Sequence, residues 1–207
     1  MICWIVGAGE FSSRDFAPRA GDIVIAADGG YATLRAIGVK PDLLMGDFDS
    51  LAADALPLEL PVKRYPEEKD DTDMGIAVRE GWQRGARVFR LYGGAGGRVD
   101  HLLANIQLMC RYSRMGCDMR LVGSEYDLFT VTNGTLPLPE RPKGTLASVF
   151  CNGDEARGVT LHGLHYPLQN ATLRCDYALG VSNCYESPKE ASVSVENGTL
   201  FVLVYCK

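Results

Sequence analysis

The sequence predicts an α/β domain built on a parallel sheet, followed by an all-β domain. Two observations carry this. Short apolar or β-branched runs recur at 2–6, 23–27, 42–45, 62–65, 87–92 and 119–122, separated by segments long enough for helices. After Gly123 helical periodicity gives way to strand-like alternation, turn residues and prolines. The first pattern is the rhythm of βαβ units. The second places a domain boundary between residues 1–123 and 124–207.

Individual elements follow from local signals. After Tyr65, Asp71 or Thr72 is a good helix N-cap, Ile76, Val78, Gly81 and Trp82 lie inside the helix, and Gly85 closes it. Asp70, Asp71 and Asp73 therefore cluster at a helix N-terminus. A second helix opens at Asp100, runs through Leu102, Leu103, Ile106, Leu108 and Met109 to about Met115, and stops at Gly116. Beyond Gly123, Pro137, Pro139 and Pro142 crowd one short stretch. The sequence then predicts a β-hairpin from Ser192–Glu196 and Thr199–Val204 joined by Asn197-Gly198, because Asn-Gly is the preferred two-residue type I′ turn.

A chain of 207 residues with 46% hydrophobic content has enough apolar material for an ordinary core without staples. A net charge of −5 and a pI near 5.2 argue against a nucleic-acid-binding surface. The seven cysteines, Cys3, Cys110, Cys117, Cys151, Cys175, Cys184 and Cys206, are scattered without a C-x-x-C pair, which fits reduced, mostly structural thiols. The N-terminus lacks the basic region of a signal peptide, and no apolar run approaches the ~20 residues of a membrane span. The expectation is a cytoplasmic protein that engages neither membrane nor nucleic acid. Sequons at Asn133, Asn170 and Asn197 carry meaning only in a secreted protein.

Four acidic segments punctuate the first half: Asp28-Gly29-Gly30, Gly46-Asp47-Phe48-Asp49-Ser50, Lys69-Asp70-Asp71-Thr72-Asp73 and Gly96-Gly97-Arg98-Val99-Asp100-His101. Each follows a strand-like run, so an open, Rossmann-like sheet would gather them at its carboxyl edge, where ligands bind. Carboxylates gathered there repel one another and any phosphate. A divalent cation such as Mg²⁺ resolves the conflict, because it takes hard oxygen ligands and bridges carboxylates to phosphates. Asp47 and Asp49, two apart after Leu43-Leu44-Met45-Gly46, would point to one side of a continuing strand. A lone D-x-D is also what an ordinary polar strand-to-loop turn looks like.

Gly93-Gly94-Ala95-Gly96-Gly97-Arg98 supplies backbone able to approach phosphate oxygens, a helix N-terminus and a guanidinium, and so makes a candidate phosphate cradle. A flexible surface loop is the plainer alternative. No G-x-x-x-x-G-K-[ST] occurs, which excludes a P-loop. Gly7-Ala8-Gly9-Glu10-Phe11-Ser12 is only a degenerate dinucleotide fingerprint, with Ser12 where the third glycine belongs. His101 reads as structural or as a capping neighbour of Asp100. Lys69 on its own reads equally as a solvated surface lysine.

In order and spacing these segments resemble the thiamine pyrophosphokinase family. Its most distinctive signatures are Gly46-Asp47-Phe48-Asp49-Ser50 and Gly97-Arg98-Val99-Asp100-His101 through Leu103-Ala104-Asn105-Ile106, with Gly180-Val181-Ser182-Asn183 matching a further motif. The resemblance implies transfer of a pyrophosphoryl group from ATP to thiamine. It implies Mg²⁺ held by Asp47, Asp49 and Asp73, with Asp28, Asp71, Arg98 and Asp100 as catalytic residues. It implies ATP binding by Lys69, Gly96, Gly97 and Arg98, and thiamine binding by Ser182, Asn183 and Phe201. Phe201 stands where relatives commonly carry an aromatic that stacks on the aminopyrimidine, Trp in some; Phe keeps the stacking and loses the indole N–H. A core residue in an alternating strand is the alternative for Phe201. The resemblance also implies that the C-terminal domain is a β-sandwich and that the protein is a homodimer with active sites at the subunit interface.

Two rivals share part of the pattern. Asp47-Phe48-Asp49 followed by Ser50-Leu51 superficially matches the aspartyl-nucleophile loop of haloacid-dehalogenase-type phosphatases, but Leu51 stands where that loop has Thr. A noncatalytic nucleotide-sensing module would bind Mg-nucleotide at the same edge without turnover.

Overall fold

The structure, a computed structural model, describes residues 1–46, 61–64 and 70–206, with the backbone alone for residue 64. It is mixed α/β, with strands predominating over three helices among the described residues. The chain forms two compact units, one of residues 1–105 with 121–124 and the other of 106–120 with 125–207.

The first unit contains five parallel strands: β1 (Ile2–Val6), β2 (Ile23–Ala27), β3 (Leu43–Gly46), β4 (Val62–Arg64) and β5 (Val88–Tyr92). All five lie where the apolar runs predict them. They pair in the order β5-β1-β2-β3-β4. From β1 the chain steps outward to β4 and then returns to the other flank of β1 with β5. That reversal makes the carboxyl ends of β1 and β5 the switch point of the sheet, where an open α/β sheet leaves a crevice. Strands β1 and β2 are buried along nearly their whole length, as parallel strands covered on both faces are. Helices α1 (Gly30–Ala36) and α2 (Asp73–Gln83) pack on β1 and β2. Phe16 meets the rings of Trp4 and Tyr92 edge-on at 5.5 and 5.1 Å beside the core, and the Trp4 indole N–H donates to Asp22 at 3.0 Å.

Thr72 is the N-cap of α2, its hydroxyl accepting from the Gly75 N–H at 3.0 Å, as its position before the helix predicts. Helix α3 spans Val99–Arg114 and ends before Gly116, whose φ of +81° breaks the helix as expected. Strand β6 (Asp118–Val122) follows.

In the second unit the strands β7 (Tyr126–Pro137), β8 (Leu146–Cys151), β9 (Glu155–His162), β10 (Leu168–Arg174), β11 (Asn183–Cys184) and β12 (Ser192–Tyr205) pair antiparallel. The core takes one face of β12, where Val193, Val195, Leu200, Val202 and Val204 are all buried, together with Phe129, Val131, Val149, Val159 and Leu161.

The predicted hairpin at Asn197-Gly198 does not form. Ser192–Tyr205 is one strand that runs straight through the dipeptide with a bulge. Val195 faces Gly134 and Thr199 faces Thr132, so four steps along β12 oppose two along β7. A type I′ turn needs positive φ at both central residues, whereas here Gly198 has φ +125° and Asn197 is not among the positive-φ residues. Two contacts hold the bulge instead. The Gly198 N–H donates to Asn133 Oδ1 at 2.9 Å, and a Cβ on Gly198 would lie 2.9 Å from the Ala156 Cα. β7 is long enough to pair with both halves of β12, and that pairing outweighs the local turn preference.

Candidate active site

At the carboxyl ends of β1, β2 and β5 the first unit encloses a cavity of about 360 Å³. Its floor is backbone. The Gly7 N–H donates to Tyr92 O at 2.8 Å and the Gly9 N–H to Gly93 O at 3.0 Å, bringing the two strand ends into direct contact. A Cβ on Gly93 would lie 2.4 Å from Gly7 O, and one on Gly9 would lie 2.6 Å from Gly93 O. The Gly-x-Gly after β1, read from sequence as a weak dinucleotide signal, is therefore part of this cavity, with Ala8 between its glycines.

Around that floor stand Asp28, Thr72, Asp73, Gly96, Gly97, Arg98 and His101. Asp28 ends β2 in the left-handed region at φ +50°, with its N–H donating to Met45 O at 2.6 Å. That backbone shape is costly for any residue but glycine and least so for Asp or Asn, which is why an acid can occupy it. Asp73 opens α2 at the same rim. Asp71 turns the other way: its carboxylate accepts the Thr72 N–H at 2.9 Å and meets Arg79 at 3.3 Å, which ties it to the start of α2. Gly96 and Gly97 have φ of +80° and +67° before α3.

Arg98 and Asp100 form a two-pronged pair, Nε to Oδ1 at 3.1 Å and Nη2 to Oδ2 at 2.5 Å. Both side chains are largely exposed, at 73% and 62%. The hydrogen bonds from Arg98 hold the Asp100 carboxyl down to about 2, so it is ionised at any pH near neutrality. Sequence reasoning gave no role to Asn105, yet it is buried and its Nδ2 donates to Gly94 O at 2.9 Å, fixing the glycine loop to α3. Its position one turn past His101 on the same helix, which puts both at the cavity, was the available signal.

Among the described residues no three His, Cys, Asp or Glu side chains gather as a metal site. Asp47, Asp49 and Lys69 lie outside the described residues. Of the three carboxylates expected to hold a cation, Asp73 stands at this rim. Three carboxylates are a donor set that suits Mg²⁺.

The residues expected to hold thiamine fall in the second unit, where the structure divides them. Ser182, at φ +55° with its N–H donating to Ser148 Oγ at 3.1 Å, lines a cavity of about 560 Å³ with Lys143, His165, Tyr166 and Glu186. Phe201 lines a separate cavity of about 180 Å³ with Phe150, Arg174, Cys175 and Tyr177. Phe201 is half-buried between the core-facing Leu200 and Val202, so its ring lies on the opposite face of β12 from the core. The core alternative for Phe201 does not hold.

Asn183 is 2% exposed, and its amide is committed to backbone: Oδ1 accepts the N–H groups of Tyr166 and Cys184, both at 2.9 Å, and Nδ2 donates to Tyr166 O at 2.8 Å. Asn183 thus ties the start of β11 to the backbone of Tyr166. Asn183→Ala is expected to destabilise the protein by about 1–3 kcal/mol, because buried N–H groups lose their acceptor. A denaturant titration checks it. Unchanged stability with a raised thiamine KM would restore the ligand-binding role.

A parallel sheet with a glycine floor, a helix N-terminus and acidic side chains at its switch point defines an α/β protein built to take a small polar ligand there. Comparison with known proteins narrows the class. The family models "Thiamin pyrophosphokinase, catalytic domain" and "Thiamin pyrophosphokinase, vitamin B1 binding domain" match residues 19–121 and 134–200. The thiamine pyrophosphokinase of Bacillus subtilis is 28% identical over 169 residues, covering 77% of this chain and 76% of that one. The crystal structure of thiamin pyrophosphokinase from Geobacillus thermodenitrificans is 30% identical, covers 100% of this chain and 98% of that chain, and superposes with a TM-score of 0.85. That of the Bacillus subtilis enzyme gives 0.88 at 25% identity, covering 99% of each chain. The chain belongs to the thiamine pyrophosphokinase family.

Proposed function

We infer that this protein is an ATP-dependent thiamine diphosphokinase, transferring the pyrophosphoryl group of ATP to the hydroxyl of thiamine to give thiamine diphosphate and AMP. The observation that carries this is the match of both family models, in order, along one chain. The hydroxyl oxygen of thiamine bonds to the β-phosphorus, the bond from that phosphorus to the oxygen bridging the α-phosphate breaks, and AMP leaves with the bonding pair. The hydroxyl proton is released. Transfers of this kind depend on positioning and charge stabilisation more than on a strong base.

Each residue then has a task. The backbone of Gly96 and Gly97 receives phosphate oxygens, with Lys69 as a further phosphate contact. Arg98 offers its guanidinium to the charge that develops during transfer, and Asp100, ionised beside it, holds that guanidinium in place. Asp28 orients nucleotide or nucleophile from the end of β2. Asp71 serves by fixing the start of α2. Asp47, Asp49 and Asp73 would hold Mg²⁺, which when bound supplies charge neutralisation to the phosphates. Ser182 and Phe201 receive thiamine, and Asn183 shapes the loop that carries Ser182.

At the level of architecture, we take residues 1–123 as a Rossmann-like catalytic domain and 124–207 as a β-sandwich for thiamine binding and dimerisation. Family resemblance supports a homodimer with active sites at the subunit interface. Among the described residues no helix is long and apolar enough to cross a membrane. With the acidic charge and the cysteine pattern, this supports a cytoplasmic location.

Incubation with ATP, Mg²⁺ and thiamine is expected to yield equal amounts of AMP and thiamine diphosphate by chromatography. Stoichiometric ADP with thiamine monophosphate would overturn pyrophosphoryl transfer, and turnover of ATP indifferent to thiamine would favour a phosphatase.

A further inference from the structure

We propose that Phe150 is a positioning residue for the acceptor, holding the Phe201 ring as a fixed platform for the aminopyrimidine of thiamine; this rests on the assignment of Phe201 as the stacking ring. Phe150 on β8 is the direct antiparallel partner of Phe201 on β12. Their neighbours Val149, Cys151, Leu200 and Val202 are buried in the core, so alternation puts both phenyl rings on the other face. There the rings lie parallel, 12° apart with centroids at 5.1 Å, an offset stack that occupies one face of each. A third ring does not fit between centroids 5.1 Å apart, so a flat ligand meets the pair from outside.

The opposite neighbour of Phe201 on the same rung is Thr130 of β7, which has no ring to steady it. A half-buried Phe on a sheet face loses rotamer freedom when a ligand stacks on it, and that loss subtracts from affinity. Phe150 removes the freedom beforehand. Both rings line the same cavity of about 180 Å³, which also has Tyr177 and Arg174 in its wall. The pair is therefore available to a ligand rather than sealed in the core.

The test is a double-mutant cycle on the full-length enzyme, with KM for thiamine and for ATP, kcat and thermal stability measured for each variant. Phe150→Ala is expected to raise the thiamine KM about three- to tenfold with the ATP KM unchanged, as loss of one aromatic pair implies. Phe150→Tyr should stay near wild type, because it keeps a stacking face. In the Phe201→Ala background, Phe150→Ala should add nothing. Phe150→Leu, which fills the volume without a π face, should match Phe150→Ala kinetically and covers the case in which the Ala variant folds poorly. If Phe201→Ala raises the thiamine KM but Phe150→Ala and Phe150→Leu do not, or if their effects persist undiminished without Phe201, Phe150 has no positioning role. If Phe201→Ala leaves the thiamine KM unchanged, the stacking assignment itself fails and the proposal fails with it.

Discussion

Asp73→Asn is expected to lower kcat about 10²–10³-fold, the scale on which one preorganised electrostatic group contributes to a transition state, while the protein stays folded. Asp73 is the first residue of α2 and lines the cavity at the ends of β1, β2 and β5. The helix retains its cap in the variant, since the Thr72 hydroxyl and not Asp73 accepts the Gly75 N–H. Loss of one negative charge in the first turn costs about 0.3–1 kcal/mol against the helix dipole. Relief of repulsion from neighbouring carboxylates offsets part of that. Turnover at saturating ATP and thiamine, a Mg²⁺ titration and a melting curve together decide it. Near-wild-type turnover at limiting Mg²⁺ would remove Asp73 from the ligand set, and a collapsed melting curve would make its role structural.

Much of the first unit was legible in the sequence because its signals are local and agree. Strands β1 to β3 are buried at nearly every residue and so read as almost continuous apolar runs, and Thr72, Gly85 and Gly116 mark helix ends through chemistry confined to one turn. The second unit was harder. Asn197-Gly198 is a strong local turn signal, and it lost to a non-local one, the length of β7, which offers partners to both halves of β12. Nothing within ten residues of the dipeptide announces that partner.

The site shows the same division. Residues placed by backbone geometry at a strand end, such as Asp28 and the glycine loop, line the cavity. Contacts that depend on what lies across from a residue were not legible. The bonds of the Asn183 amide to Tyr166, and the pairing of Gly7 and Gly9 with the end of β5, join residues far apart in the chain. Asp71 and Asp73 are two residues apart, yet one serves the helix and the other faces the cavity.

The contact between β1 and β5 gives the second large effect: Gly93→Ala should destabilise the protein by about 2–5 kcal/mol and abolish nucleotide binding by the folded fraction. Two costs combine there. At φ +67° an L side chain is strained, and its Cβ would lie 2.4 Å from Gly7 O, where the nearest atoms are all Gly7 backbone and no flexible side-chain end can yield. Separating the strand ends would also break the Gly9 N–H to Gly93 O bond that forms the cavity floor. Gly97 is the internal control. It has the same φ of +67°, but nothing lies within 4 Å of the Cβ position, so Gly97→Ala should cost only the strain, about 1–2 kcal/mol. Its larger effect should be on the ATP KM, because the new methyl stands where a phosphate oxygen would approach the loop. Denaturant titrations of the two variants, with ATP KM for each that folds, separate floor from cradle. Equal destabilisation would mean that the strand ends are not in close contact, and an unchanged ATP KM for Gly97→Ala would remove that glycine from the phosphate site.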